Sequence, residues 1–170
     1  NKVTEQKFII IIEKIAETFN LDNTPLMIQS IINEDQINII EFAPRIGGGE
    51  NINIIKMSTE FDMVEAAIDS FLGKDISIDI KKPTTTFFDN YIYCYPAKFK
   101  KIVGLDKVVK LGIAEYSNTY KMEGAHIGDE MSSNNRVGVF TVKGSSPSEI
   151  YSKIKSGVDL VEVFDHNDKP

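Results

Sequence analysis

Histidine, cysteine and positive charge are all in short supply in this chain, and each shortage removes a class of function. The 170 residues hold two histidines, His126 and His166. They lie far apart and lack partners at ligand spacing, so they read as surface loop residues rather than a metal site. The single cysteine, Cys94, excludes an intrachain disulfide framework and fits a reducing, cytoplasmic compartment. Its apolar neighbours make it a core residue rather than a nucleophile. Nineteen basic residues against 25 acidic ones leave a net charge of -6, which argues against a nucleic-acid surface. Lys98, Lys100 and Lys101 form the densest basic group, and a solvated strand face accounts for them. The apolar run Phe8 to Ile12 is too short to span a bilayer, no secretory signal is visible, and no membrane association is expected. No internal repeat or low-complexity tract occurs.

What is present is enough hydrophobic content, 42%, to bury a core for one domain or two small ones. The chain is organised around Leu26 to Gly49. Two Ile-rich runs flank the polar tetrapeptide Asn33-Glu34-Asp35-Gln36, a hairpin pattern. With Asn33 facing Ile37 across a three-residue loop, the ladder pairs Ile31 with Ile39, Gln29 with Glu41 and Met27 with Ala43. Gln29 and Glu41 then lie side by side on one face. An amide oxygen and a carboxylate on a rigid sheet suit a hard cation such as magnesium. The second run breaks at Pro44, Arg45 follows, and Gly47, Gly48 and Gly49 let a backbone approach an anion closely. Together these residues point to phosphate chemistry. The plain alternative is an ion pair beside a flexible turn.

The same stretch resembles the C-terminal part of the ATP-grasp domain. Leu26-Met27-Ile28-Gln29 looks like the ligand strand of the carbamoyl-phosphate synthetase large subunit. Glu41-Phe42-Ala43-Pro44-Arg45-Ile46-Gly47-Gly48-Gly49 looks like the second ligand strand and substrate loop of ATP-grasp ligases. The resemblance implies that Gln29 and Glu41 ligate the metal ions bridging the ATP phosphates. It implies that Arg45 acts catalytically, steadying phosphate or the acyl-phosphate intermediate, and that Glu41 and Arg45 together hold the cofactor. Gly47, Gly48 and Gly49 would contact the substrate. Ala43 stands where the family usually has asparagine, so one metal contact is lost, although the ATP-grasp carboxylase of purine synthesis shares Ala-Pro-Arg.

Around this stretch, Thr4 is placed to cap a helix running to about Phe19, with Phe8, Ile11, Ile12, Ile15 and Phe19 as its apolar stripe. Glu50 to Lys56 reads as an extended substrate-side loop. Thr59 and Asp62 suggest a capping box for a helix striped by Phe61, Val64, Ala67, Ile68 and Phe71 and closed by Gly73. Asp62, Glu65 and Asp69 form its wet face.

The break at Lys81-Lys82-Pro83 divides the chain into 1–82 and 83–170. In the second part, Phe87-Phe88, Tyr91 to Tyr95, Phe99 to Val103, Ile113 to Tyr120, Arg136 to Val142 and Leu160 to Phe164 read as strands. Asp89-Asn90 reads as a turn or bulge, and Leu105 to Val109 as a short amphipathic turn. Ser146-Pro147-Ser148-Glu149 starts a helix that Gly157 closes. The polar segment Gly124 to Asn135 is a loop and a candidate lid. Arg136-Val137-Gly138 through Gly144, with the following Ser-x-Ser-Glu-Ile, resembles the C-terminal domain of L-amino-acid ligases.

The fold expectation is therefore α+β: the C-terminal half of an ATP-grasp domain, an antiparallel sheet with helices, followed by a small half-barrel-like module. The resemblance implies a carboxylate-amine ligase working through an acyl phosphate. Its cofactors would be ATP and magnesium, with manganese as a substitute, and its substrates a small carboxylate and an amine, amino acids among them. The glycine-rich phosphate lid, the strand lysine and the adenine-contacting hinge of that family are not found here. A first residue, Asn1, inside a helix approach also reads as that of an excised fragment. The fragment alone is expected to be inactive. Ala43 favours the alternative, a non-catalytic module or the partner subunit of a split enzyme. A homo-oligomer is compatible with either.

Overall fold

The computed structural model describes residues 2–34, 36–130 and 132–169. The chain divides into two compact units, 1–82 and 83–170.

The first unit begins with helix α1 (Lys2–Phe19). Thr4 lies inside this helix and does not cap it, because regular backbone already begins at Lys2. Asn20 follows with a left-handed φ of 51°, and Phe19 packs edge-on against Phe42 with ring centroids 5.0 Å apart. Strands β1 (Met27–Asn33) and β2 (Gln36–Ala43) form an antiparallel hairpin. Its tip register departs from the expected one: Asn33 pairs with Gln36, Ile32 with Ile37, Ile31 with Asn38 and Ser30 with Ile39. A bulge then absorbs Ile40, and Gln29 pairs with Glu41, Ile28 with Phe42 and Met27 with Ala43. The pairings of Asn33 with Ile37 and of Ile31 with Ile39 are thus corrected, while the lower pairings stand. Asp35, within the hairpin connection, lies outside the described residues.

The segment Glu50 to Lys56, expected to be extended, instead opens helix α2 (Asn51–Thr59). Thr59 ends this helix and does not open the next. Its hydroxyl donates to the Ile55 carbonyl at 2.7 Å and accepts from the Phe61 N–H at 3.2 Å. Helix α3 (Met63–Phe71) is capped instead by Asp62, whose carboxylate accepts from the Val64 and Glu65 N–H groups. The Lys56 ammonium, 2.6 Å away, and these amides hold Asp62 below the usual carboxylate range. At the other end Gly73 takes φ 73°. Its N–H reaches the Ser70 carbonyl, and that of Lys74 reaches Asp69. This is a Schellman closure, which requires the left-handed residue that glycine supplies without strain.

The second unit contains two three-stranded antiparallel sheets, ordered β3-β7-β5 and β6-β4-β8. The first comprises β3 (Thr86–Tyr93), β5 (Tyr116–Thr119) and β7 (Arg136–Gly144). The second comprises β4 (Ala97–Val103), β6 (His126–Ile127) and β8 (Glu162–Asp165). Asp89 and Asn90 do not turn the chain. They pair with Thr141 and Phe140 inside β3, where the Thr141 hydroxyl donates to the Asp89 carboxylate at 2.6 Å. Leu105 to Val109 belongs to a helix, α4 (Leu105–Lys110), and strand β5 is shorter than expected, starting at Tyr116.

Helix α5 (Pro147–Val158) has Ser146 as its cap, accepting from Glu149 N–H. Gly157 lies within this helix and does not close it. An added Cβ there would come 2.7 Å from two ring carbons of Phe140, so the glycine permits close helix–strand packing. Phe140 and Val142 of β7, with Leu105, Val108, Ala114 and Ile150, form the main core. Phe99, Ile127 and Val137 form a second cluster, with Cys94 at its edge. Burial pushes the Cys94 thiol pKa up, consistent with a packing residue.

Candidate functional site

The hairpin positions the two expected metal ligands by backbone pairing. Gln29 and Glu41 are opposite each other on antiparallel strands, and both are exposed. Cross-strand partners point to the same face of a sheet. The Ile40 bulge matters here, because without it the tip register would set Gln29 against Ile40 and turn Glu41 to the other face. The pair supplies one carboxylate and one amide oxygen. No group of three or more His, Cys, Asp or Glu residues poised to hold a metal occurs among the described residues. Ala43, paired with Met27, adds no ligand.

Beyond β2 the chain turns sharply, with the Arg45 N–H donating to the Ala43 carbonyl at 2.8 Å. The Arg45 side chain is exposed, and its Nη1 donates to the Ile46 carbonyl at 2.9 Å. Gly49 takes φ 69°, which a residue with a side chain adopts at a cost, while Gly48 has open space around it. The glycine loop is held from helix α2: Asn51 Nδ2 donates to the Gly48 carbonyl at 2.8 Å.

Sequence reasoning missed the support of this loop. Glu50 is buried, with 3% of its surface exposed, and its carboxylate accepts from Asn53 Nδ2 at 2.5 Å. The Glu50-x-x-Asn53 spacing is the signal that could have revealed it, since residues three apart meet on a helix. Glu50, Asn51 and Asn53 thus tie the glycine loop to the start of α2.

The remaining candidates lie in the second unit. His126 pairs with Lys98, and the His166 N–H donates to the Lys98 carbonyl at 2.9 Å, so both histidine backbones flank one residue of β4. They do not assemble a three-ligand group. The Gly124 to Asn135 segment is tied down by Asn135, whose amide bonds Gly128 and Glu130. No described helix is long and apolar enough to cross a membrane.

No protein-family model matches the sequence, and no curated protein matches it. Solved structures do share its fold. Phosphoribosylglycinamide synthetase from Anaerococcus prevotii superposes with a TM-score of 0.78 at 14% identity, over 97% of this chain and 43% of that one. L-amino acid ligase from Bacillus licheniformis gives 0.77 at 19% identity, over 98% of this chain and 42% of that one. N5-carboxyaminoimidazole ribonucleotide synthetase from Thermotoga maritima gives 0.67 at 13% identity, over 98% and 44%. These neighbours are ATP-grasp ligases. The chain therefore has an α+β fold of the ATP-grasp type and spans less than half the length of these proteins.

Proposed function

We propose that the chain is the C-terminal part of an ATP-grasp carboxylate-amine ligase, with 1–82 carrying the metal and phosphate residues and 83–170 forming the C-terminal module. The observation that carries this reading is the register of the hairpin, which sets Gln29 against Glu41 on a fold shared with ATP-grasp ligases. The donor set fits a hard cation, because both residues offer oxygen. Bound magnesium would offset the charge developing on a transferring phosphoryl group. Glu41 would hold the ion with its carboxylate and Gln29 with its amide oxygen. Arg45 would exchange its bond to the Ile46 carbonyl for phosphate oxygens. The Gly47 to Gly49 loop, braced by Glu50, Asn51 and Asn53, would present backbone to the carboxylate substrate, with an amine as second substrate. Amino acids are the substrate class to assay first, since one of the neighbours is an L-amino acid ligase.

In this reading the chain alone binds magnesium-ATP more weakly than micromolar and turns nothing over. Joined to the rest of an ATP-grasp domain, it makes activity depend on Glu41. Glu41→Ala in that complete protein is expected to lower amino-acid-dependent ADP release about a hundredfold or more, the scale of removing one electrostatic stabiliser. Activity close to wild type would end the metal role. Ala43 favours a second reading, the partner subunit of a split enzyme. The intact mass of the cellular polypeptide carrying Glu41-Phe-Ala-Pro-Arg separates the two: at least twice this chain for the ligase, near 19.1 kDa for the subunit.

A further inference from the structure

A second bulge, in the β3-β7 pair, places an arginine where strand alternation would not. Ile92 pairs with Gly138, but Tyr93 pairs with Arg136, leaving Val137 as the extra residue. In an unbroken ladder Val137 would oppose Tyr93, and Arg136 would point to the other face. Val137 instead packs with Phe99, Ile127, Ile92 and Cys94. Arg136 emerges on the face of Tyr91 and Tyr93, two residues apart on β3. Re-aiming a side chain at some cost to the ladder is what bulges do beside functional surfaces.

The guanidinium there is held in a fixed pose. Its carbon lies 3.9 Å from the centroid of the Tyr91 ring, and Nε donates to the Tyr93 hydroxyl at 3.0 Å. Tyr120, whose N–H binds the Val137 carbonyl, adds a third nearby phenol. The Tyr93 bond raises the Arg136 pKa further, so the cation is permanent. None of the ion pairs among the described residues involves Arg136. Stacking uses the face of the group and Tyr93 uses Nε. The Nη edge, the fork that matches planar oxyanions, has no partner among the described residues. One cation suits one negative charge, and the exposed Tyr93 ring offers an apolar wall beside it. A phosphate dianion would draw on a second cation, and the Lys121 ammonium, next in sequence to Tyr120, already donates to the Asn134 carbonyl.

We propose that Arg136, held between Tyr91 and Tyr93, is a receptor for the carboxylate of a small molecule whose flat or apolar body lies along the Tyr93 ring. The site uses none of the metal and phosphate residues, so it stands or falls apart from the ligase reading.

The test is NMR titration of the 170-residue chain with sodium benzoate, following the Arg136 Nε–H and the amides of Tyr91 and Gly138. Sodium phosphate and sodium chloride, at matched ionic strength, are the controls. Benzoate is expected to shift these signals saturably, with half-saturation near or below about 10 mM, and chloride to have no such effect. Arg136→Lys keeps the charge but loses the fork, and should weaken binding at least about tenfold at the amide probes. Tyr93→Phe, which frees Nε while keeping the ring, should weaken it several-fold. A benzoate response that does not saturate, that survives Arg136→Lys unchanged, or that phosphate matches or exceeds would overturn the proposal. If Tyr93→Phe does not fold, Arg136→Lys decides alone.

Discussion

The two units of this chain differ in how much of their apolar surface they cover. In the second unit Phe140, Val108, Val137, Val139 and Val142 are sealed from solvent, and two clusters of buried side chains lie beneath the strands and helices. In the first unit Ala67 is the one buried hydrophobic side chain among the described residues, while Ile10, Ile40 and Phe71 remain 63%, 56% and 71% exposed. The apolar stripes of α1 and α3 are as regular as the pattern of β7, yet only the latter is covered. A hydrophobic pattern thus predicts an element, but not what buries it. The first unit is shaped by local devices: the hairpin ladder, the Asp62 cap, the Schellman closure at Gly73 and the bracing of the glycine loop. The second is shaped by packing. In the proposed reading, the uncovered stripes of the first unit are faces that the rest of an ATP-grasp domain would cover, whereas the second unit buries its own core.

Substitutions can break or sharpen that contrast. Phe140→Ala should cost the second unit about 3–5 kcal/mol, the usual range for deleting a buried aromatic ring, read as a fall in its urea midpoint. A loss of the same size from Phe71→Ala in the first unit would dissolve the distinction. Gly157→Ala would push a methyl group to 2.7 Å from the Phe140 ring, and about 1–3 kcal/mol of overpacking is expected. Gly73→Ala meets open space but keeps a left-handed φ of 73°, so its cost should be about 1–2 kcal/mol from backbone strain alone. Ile40→Val, on an exposed side chain, should change stability by no more than about 0.5 kcal/mol.

The smallest effect concerns acid. Hydrogen bonds from the Ser145 backbone and from Lys153 and Ser145 side chains lower the Glu149 pKa from 4.5 to about 2. A depressed folded-state pKa stabilises above the unfolded value and is lost as pH falls. The stability of the second unit should therefore decline between about pH 4.5 and 2, and Glu149→Gln should flatten that decline. Because this carboxylate is exposed, solvent screening keeps the effect modest. An unchanged pH profile in the variant would show that the cap contributes nothing measurable.

The sequence made much of this legible, with physical reasons for the gaps. The facing of Gln29 and Glu41 could be read because alternation fixes which residues share a face, and the Ile40 bulge compensates for the different tip register. The bulge itself carried no signal, since Ile39 and Ile40 are equally suited to a strand. The Ile-rich segment after Glu50 looked extended because β-branched residues favour strands, but a helix opens there, with the Glu50 carbonyl accepting from the Ile54 N–H at 2.9 Å. Asp89 looked like a turn residue until Thr141 supplied a partner across the ladder. Gly157 could not be told from a helix terminator, because close packing and left-handed backbone both call for glycine. Arg136 was visible as the start of a strand and of the stretch resembling L-amino-acid ligases, but not as a site, since its place among the tyrosines depends on a bulge.

The central claim is that Gln29 and Glu41 form a cation site on the hairpin. Its most direct test is to add manganese to isotope-labelled chain and map the paramagnetic broadening of amide signals. The account predicts broadening centred on residues 29 and 41 that Glu41→Ala abolishes. Broadening centred on another acidic region, or a pattern at the hairpin that persists in the Glu41→Ala variant, would contradict it.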